Sequence, residues 1–518
     1  MPKYLEHNAV YIFIAVGIFF LYLRKRSQHA HPLPPGPPGL PIIGNLRDMP
    51  AKSEWLTFQN WAKRYGDIIH VSMFGQSIII INSYEMAFDL FERRSYNYSD
   101  RPSNVMVGDL VGYSFHFGFM RYGEWWRQHR RALHQNFQLG AIHEYRPLQT
   151  EATHDLLRRL LKAPDDFMAH VRYSAGALIL RVAYGIKVAS ENDPSIHTAE
   201  EALKAMAATG NAGAYLVDTI PFLKYLPEWF PGAKFKREAK EWRRHVLSMR
   251  DSPFAVVKKT MESGILNLGY TPSRLHKLEG DPSRQEKEEI IKNTAGALYA
   301  VGRSHYQTVA TINTFILAMT LYPDIQRRAQ ETIDKLVGSE RLPDFLDRPH
   351  LPYIEAIVKE ALRWQLVLPL AVPHAAVNED LYKGYRIPAG SIVIGNAWSM
   401  LQNEQIYRNA SEFNPDRFMK NEQLNPDIPH PLAAFGFGRR ICPGRHFAEA
   451  SVWIAIVSIL SVYNISKALD DSGREITPPV EYTTGMLSYP VPFKCMITPR
   501  SVGAESLIRG TMSDMQMA

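Results

Sequence analysis

Cysteine is scarce in this chain, with only Cys442 and Cys495 in 518 residues. That count excludes a disulfide framework and a zinc site built mainly of cysteines, and it suits a reducing compartment. An excess of one charge is also lacking. The formal net charge is +7, and Lys and Arg are scattered rather than gathered into a basic stripe interleaved with aromatics. Nucleic acid is therefore not an expected partner. No repeat of fixed period and no G-x-G-x-x-G fingerprint after a strand occur, so a fused nucleotide-binding electron donor is not expected. Hydrophobic residues at 46% and charged residues at 21% exclude wholesale disorder.

Long uncharged runs are few, and one stands at the front: AVYIFIAVGIFFLYL, Ala9 to Leu23, followed by Arg24-Lys25-Arg26. It falls short of the roughly 20 residues of a membrane-spanning helix, a gap that Tyr4 and Leu5 or a thin bilayer would close. The segment before it carries little positive charge and no small-x-small cleavage site follows, which favours an uncleaved anchor over a removed signal peptide. The basic flank predicts that the following domain stays cytosolic. On that reading the sequons at Asn97, Asn409 and Asn464 stay unmodified.

Residues 1–26 are thus expected to be a signal anchor and basic flank. HPLPPGPPGLPIIGN, His31 to Asn45, predicts a proline-rich hinge over 27–45 that acts as a stiff spacer. Residues 46–502 read as one domain, mainly α with small β-sheets, and 503–518 as a disordered tail. DIIHVSMFGQSIIIINS carries the signature of a hairpin around Phe74-Gly75. Helices are expected over Glu201–Ala208, Asp324–Val337 and Tyr353–Trp364, and one very long helix over Glu286–Met319. Strands are expected at Ser391–Gly395 and Phe493–Thr498.

One of the two thiols sits in AFGFGRRICPGRHFAEA, Ala434 to Ala450. A thiolate ligand needs N–H donors and positive potential, and Cys442-Pro443-Gly444 runs into an apolar helix whose N-terminus supplies both. Gly436, Gly438 and Gly444 would admit a flat, bulky group, and Arg440 would meet an anionic one. A nucleophilic cysteine with His446 as base is the competing reading, giving a cysteine hydrolase.

Phe435-x-x-Gly438-x-Arg440-x-Cys442-x-Gly444 resembles the haem-binding loop of the cytochrome P-450 family. The resemblance implies the cytochrome P-450 fold, haem b as cofactor and Cys442 as axial ligand of the haem iron. Glu360 and Arg363 of KEALRW, with Arg417 of FNPDRF, resemble the family's structural charge triad beneath that loop. Trp126 and Arg130 of GEWWRQHRRAL, and His374 of AVPHAAV, match positions that hold haem propionates. The wording of PPGPPGLPIIGN and YPVPFKC is similar to fungal membrane-bound members of secondary metabolism. The implied activity is insertion of one oxygen atom from dioxygen into a hydrophobic small molecule, terpenoid or aromatic alkaloid. The implied partners are the endoplasmic reticulum membrane and a separate NADPH-dependent reductase, met by Arg127, Arg130, Arg131, Arg439 and Arg445. Substrate contacts are expected in GYSFHFGFM (Gly112–Met120), LVLPLAV (Leu366–Val372) and around Met486.

The sequence departs from the family where an acid and a threonine normally serve proton delivery. YAVGRSHYQTVATINTFILAM, Tyr299 to Met319, offers Ser304, His305 or Thr308 instead. Three readings stay open: oxygenation through these groups and water, haem-thiolate chemistry without oxygen activation (isomerase, dehydratase or a ligand binder without turnover), or a local misreading of the sequence. A two-residue surplus would turn a helix face by about 200°.

Overall fold

The computed structural model describes residues 30–188, 194–210, 215–265, 268–303 and 306–511. The expected anchor at Ala9–Leu23 and the candidates Ser304 and His305 lie outside them. The longer helices are α1 (Glu54–Tyr65), α2 (Glu124–Phe137), α3 (Arg146–Lys162), α4 (Phe167–Tyr184), α5 (Pro194–Thr209) and α6 (Lys234–Glu262). They continue with α7 (Arg284–Arg303), α8 (Tyr306–Leu321), α9 (Pro323–Val337), α10 (Pro352–Trp364), α11 (Arg445–Val462) and α12 (Val502–Gly510). The long helix expected over Glu286–Met319 is helical on both sides of 304–305.

Among the described residues a four-stranded and a three-stranded sheet, with two separate strand pairs, complete a mainly helical molecule. Strands β1 (Ile68–Met73) and β2 (Gln76–Ile81) form the expected hairpin, with Met73 opposite Gln76. Phe74 and Gly75 both take positive φ, at 47° and 83°. That is the two-residue turn whose twist suits a hairpin. Strand β2 pairs in parallel with β4 (Ile392–Gly395), which pairs antiparallel with β3 (His374–Ala375). The second sheet has β5 (Tyr463–Leu469) between β6 (Glu475–Ile476) and β7 (Cys495–Pro499).

Two expectations about the chain ends are corrected. The proline-rich stretch does not stand off as a spacer. The His70 N–H donates to the Pro35 carbonyl at 3.0 Å and the Arg386 N–H to the Pro32 carbonyl at 2.8 Å. Proline lacks a donor but keeps its acceptor, so a proline run can still dock on a sheet. The approach is close: a Cβ on Gly36 would stand 2.0 Å from the His70 carbonyl oxygen. The disordered tail expected over 503–518 is also overturned as far as 511, because Val502–Gly510 is helix, whereas 512–518 lie outside the described residues. Ser501 caps it through the Ala504 N–H at 3.0 Å, Ile508 is fully buried, and Arg158 reaches Thr511 Oγ1 at 2.6 Å. The apolar residues Ala504 and Ile508, four apart, give the segment a face to bury against α3.

Among the described residues only α11 is long and apolar enough to cross a membrane, and 72% of it is buried inside the fold. It is the core helix, with Trp453 at no exposure. One core is built on α8, α10 and α11, and a second on the helices α2, α4, α5 and α6. The cavity described next is lined from both.

Candidate active site

Cys442 ends a loop made of two short 3₁₀ turns, Leu432–Phe435 and Gly438–Arg440, and is separated from the first turn of α11 by Pro443 and Gly444. Its N–H donates to the Phe435 carbonyl at 2.9 Å, which closes the loop. Arg130 Nη1 donates to the neighbouring Ile441 carbonyl at 2.6 Å. Burial pushes the thiol up, against the Gly444 N–H and the Arg130 and Arg445 charges, which favour the thiolate. The donors and cations were legible in the sequence; the opposing burial was not. No hydrogen bond among the described residues joins Cys442 to His446, which lies outside the cavity lining. Gly438 serves packing rather than approach to a flat group. It has φ +55°, and a Cβ there would stand 1.9 Å from the Phe91 carbonyl oxygen.

Beside the thiol lies a group of desolvated cations. Arg440 donates from Nε to the Ser99 carbonyl at 2.7 Å, from Nη1 to Phe117 at 3.1 Å and from Nη2 to Met120 at 2.9 Å. Burial lowers its pKa to about 9. Arg101, which sequence reasoning missed, is 5% exposed and donates to the carbonyls of Gly118, Val372 and Pro373. Burial, with Arg440 nearby, holds it well below its ordinary value. A lone arginine in YSDRPSN carries no local pattern that separates it from a surface charge. His374, placed by β3, is tied through Nδ1 to the Tyr98 carbonyl at 2.6 Å, and burial holds it neutral. Trp126 lies behind Arg440, whose guanidinium sits 4.2 Å from its ring centroid, and its buried Nε1 has no partner.

A cavity of about 240 Å³ joins these groups. Cys442, Phe435, Arg440, Gly444, His374 and Thr308 line it, whereas Gly438, Trp126 and Arg130 stand behind the wall. All three segments expected to meet substrate reach it, through Phe117 and Phe119, Val367 and Leu368, and Met486 and Leu487. Phe115 instead packs in the core. No Asp or Glu is among the described lining residues. The nearest acid described beside the cations is Asp100, which takes the Arg101 and Tyr122 N–H groups and pairs with Arg121 at 2.8 Å. On α8, Gln307 Nε2 donates to the Ala434 carbonyl at 2.7 Å, and the buried Thr308 hydroxyl has no partner among the described residues.

Glu360, Arg363 and Arg417 come together as expected. Arg363 grips Glu360 with Nε at 2.7 Å and Nη2 at 2.8 Å, and Arg417 Nε adds a third contact at 3.1 Å. The exposed basic residues Arg127 and Arg131 lie on α2, whereas Arg130 is largely buried. The sequon asparagine Asn97 is buried, with its amide spent on the main chain of Asn378.

A flat dianionic cofactor with an iron centre fits these walls. Among the described residues, two buried guanidiniums lack an acid in the cavity, the indole N–H behind them lacks an acceptor, and Cys442 is the one thiol at the wall. Desolvated cations of this kind are stable only when a negative group reaches them.

The family model for cytochrome P-450 matches residues 34–494. A cytochrome P-450 monooxygenase of Armillaria gallica is 44% identical, over 95% of this chain and 97% of its own. The cytochrome P-450 monooxygenase claR of Ampulloclitocybe clavipes is 40% identical, over 96% and 92%. A tryptamine 4-monooxygenase of Psilocybe cyanescens is 39% identical, over 93% and 95%.

Proposed function

We propose, from the premise that the chain belongs to the cytochrome P-450 family and is an oxidoreductase of its monooxygenase class, that it oxygenates an uncharged, hydrophobic small molecule of fungal secondary metabolism. The observation that carries this reading is the cavity itself, walled by Phe117, Phe119, Val367, Leu368 and Met486 with Cys442 at one side and no acidic residue. One relative is named as a tryptamine 4-monooxygenase, which favours an aromatic scaffold over a terpenoid, in uncharged form because the described lining offers no acid to pair with an ammonium.

Haem iron, when bound to Cys442, supplies the dioxygen-activating chemistry. The chain's own residues do the rest. Arg101 and Arg440 would hold the anionic edge of the cofactor, Trp126 backs the Arg440 guanidinium, and His374 would flank the group. Arg130 fixes the Ile441 carbonyl and with it the angle of the sulfur-bearing turn. The aromatic walls exclude water and orient the substrate. Thr308 is the described hydroxyl best placed to hold a proton-bearing water on the α8 side.

Electrons come from NADPH through a separate reductase, which Arg127, Arg131, Arg439 and Arg445 would meet. The Ala9–Leu23 run anchors the chain in the endoplasmic reticulum membrane. A second apolar contact supports that placement: Phe222, Tyr225 and Trp229 are 73%, 70% and 79% exposed within one short stretch, the kind of aromatic cluster that settles at a bilayer surface.

The test is reconstitution of the full chain with haem and a fungal reductase. NADPH consumption with formation of an oxygenated product, across indoles and terpenes, is the expected result. The absence of an acid-threonine pair in SHYQT favours a second reading, isomerisation or dehydration at haem. Product that forms without NADPH would select it.

A further inference from the structure

His116 is a buried side chain of the cavity wall that nothing above employs. It is 5% exposed and lines the same cavity as Cys442. The ring is boxed by aromatics: Phe117 stacks on it at 5.5 Å between centroids, Phe119 lies at 5.4 Å and Tyr113 meets it edge-on at 6.3 Å. Its orientation is fixed from the main chain, because the Gly118 N–H donates to Nδ1 at 3.1 Å. Glycine at 118 is what lets the ring lie back so far, since a Cβ there would stand 2.9 Å from Nδ1 and Cε1.

These contacts settle which ring nitrogen carries the proton. A main-chain N–H can only donate, so Nδ1 accepts, and in a neutral imidazole the proton then sits on Nε2. Burial, with Arg101 adding to it against the pull of the residue's own carbonyl, lowers the pKa to about 4, so the ring is neutral at physiological pH. Nε2 is buried and has no hydrogen-bond partner among the described residues. A donor left in that state is unfavourable in the fold, and the one oxygen of the aromatic box, the Tyr113 hydroxyl, is turned to the Ala202 carbonyl at 2.8 Å.

We propose that His116 is a specificity-determining residue whose Nε2–H donates to the substrate. The substrate accordingly carries an uncharged acceptor, a carbonyl, ether or hydroxyl oxygen or an unprotonated ring nitrogen, and is not a bare hydrocarbon. This rests on the monooxygenase reading and narrows its substrate class. The acceptor would hold one end of an otherwise apolar molecule and so determine which carbon faces the iron.

The test uses the haem-loaded full chain and pairs of polycyclic ligands that differ only by a carbonyl in place of a methylene. Binding is read from the change in the haem absorption spectrum and, independently, by equilibrium dialysis. The wild type should prefer the ketone about tenfold, as one hydrogen bond provides. His116→Phe keeps an aromatic ring without the donor and should weaken ketone binding until the preference is gone. His116→Gln keeps an N–H donor and should restore part of it. A wild type without preference, or a His116→Phe protein that retains it, overturns the assignment. So does haem loss in His116→Phe with the preference intact in the remaining holoenzyme, which would give Nε2–H to a cofactor carboxylate. A chain that loads haem, binds the ketone through His116 and still makes no product with NADPH overturns the monooxygenase reading alone.

Discussion

Glu360→Gln removes one charge and almost no volume from a place that solvent does not reach. Glu360 and Arg363 have side chains at 0% exposure, and Arg417 is at 6%. Four donors converge on the carboxylate: Arg363 Nε and Nη2, Arg417 Nε, and the Asn414 main-chain N–H at 2.8 Å. A carboxamide has one oxygen to offer them, and its own N–H groups would face guanidinium donors. Breaking a buried ion pair by removing one partner costs about 3–5 kcal/mol. Unfolding entropy at about 2.1 cal/mol/K per residue amounts to roughly 1 kcal/mol/K for a domain of this size, so Tm should fall by about 3–5 °C. Differential scanning fluorimetry of the holoenzyme at fixed scan rate reads this directly. Asp324→Asn is the control, because Asp324 and its partner Arg327 are 89% and 67% exposed; it should change stability by less than about 0.5 kcal/mol. Haem retention supplies a second readout. Arg363 also donates to the Leu401 and Glu412 carbonyls, so a loosened guanidinium loosens the chain leading to the cysteine loop. A Glu360→Gln protein as stable as the control would refute the reasoning.

Gly438→Ala should destabilise the fold by more than about 2 kcal/mol, because the left-handed backbone costs roughly 1–2 kcal/mol and the new Cβ must also displace the Phe91 carbonyl. A Gly438→Ala protein that loses only about 1–2 kcal/mol in denaturant unfolding, the left-handed cost alone, would disprove the packing account. Thr308→Val removes a buried hydroxyl that has no partner; Tm should hold or rise while product formed per NADPH falls, and unchanged coupling would remove Thr308 from proton handling. Asp218 accepts the Met106 N–H at 2.8 Å, and burial raises its pKa from 3.8 to about 6. The folded state therefore keeps this proton longer than the unfolded chain, so its contribution to stability falls as pH rises from about 4 to 6 and is level above. Asp218→Asn should remove that slope, and denaturant midpoints at pH 4.5 and pH 7 that shift equally in both proteins would contradict it.

What the sequence could convey depended on how local each signal was. The hairpin at Phe74-Gly75 and the turn around Cys442 were legible because the residues that require the geometry are adjacent. The Glu360, Arg363 and Arg417 triad was legible only through likeness to a family, since a Glu and an Arg three apart on a helix usually meet at a solvated surface. Arg101 was missed altogether. Its partners are carbonyls at 118, 372 and 373, and carbonyls leave no trace in a sequence. The proline stretch and the last helix were misread for a related reason: what orders them is a sheet edge and a helix far away in the chain. Burial at Cys442 likewise arises from packing that no single stretch encodes.

Arg440 reaches back across more than 300 positions and holds Ser99, Phe117 and Met120 by their main-chain oxygens, never by a side chain. A grip of that kind is indifferent to spelling, because every amino acid brings the same oxygen. The wall that faces the substrate can therefore be rewritten at 116, 117 or 119 while the loop that carries it stays anchored beside the cysteine turn. Such a chain can change its taste in molecules without having to rebuild the floor on which the reaction runs.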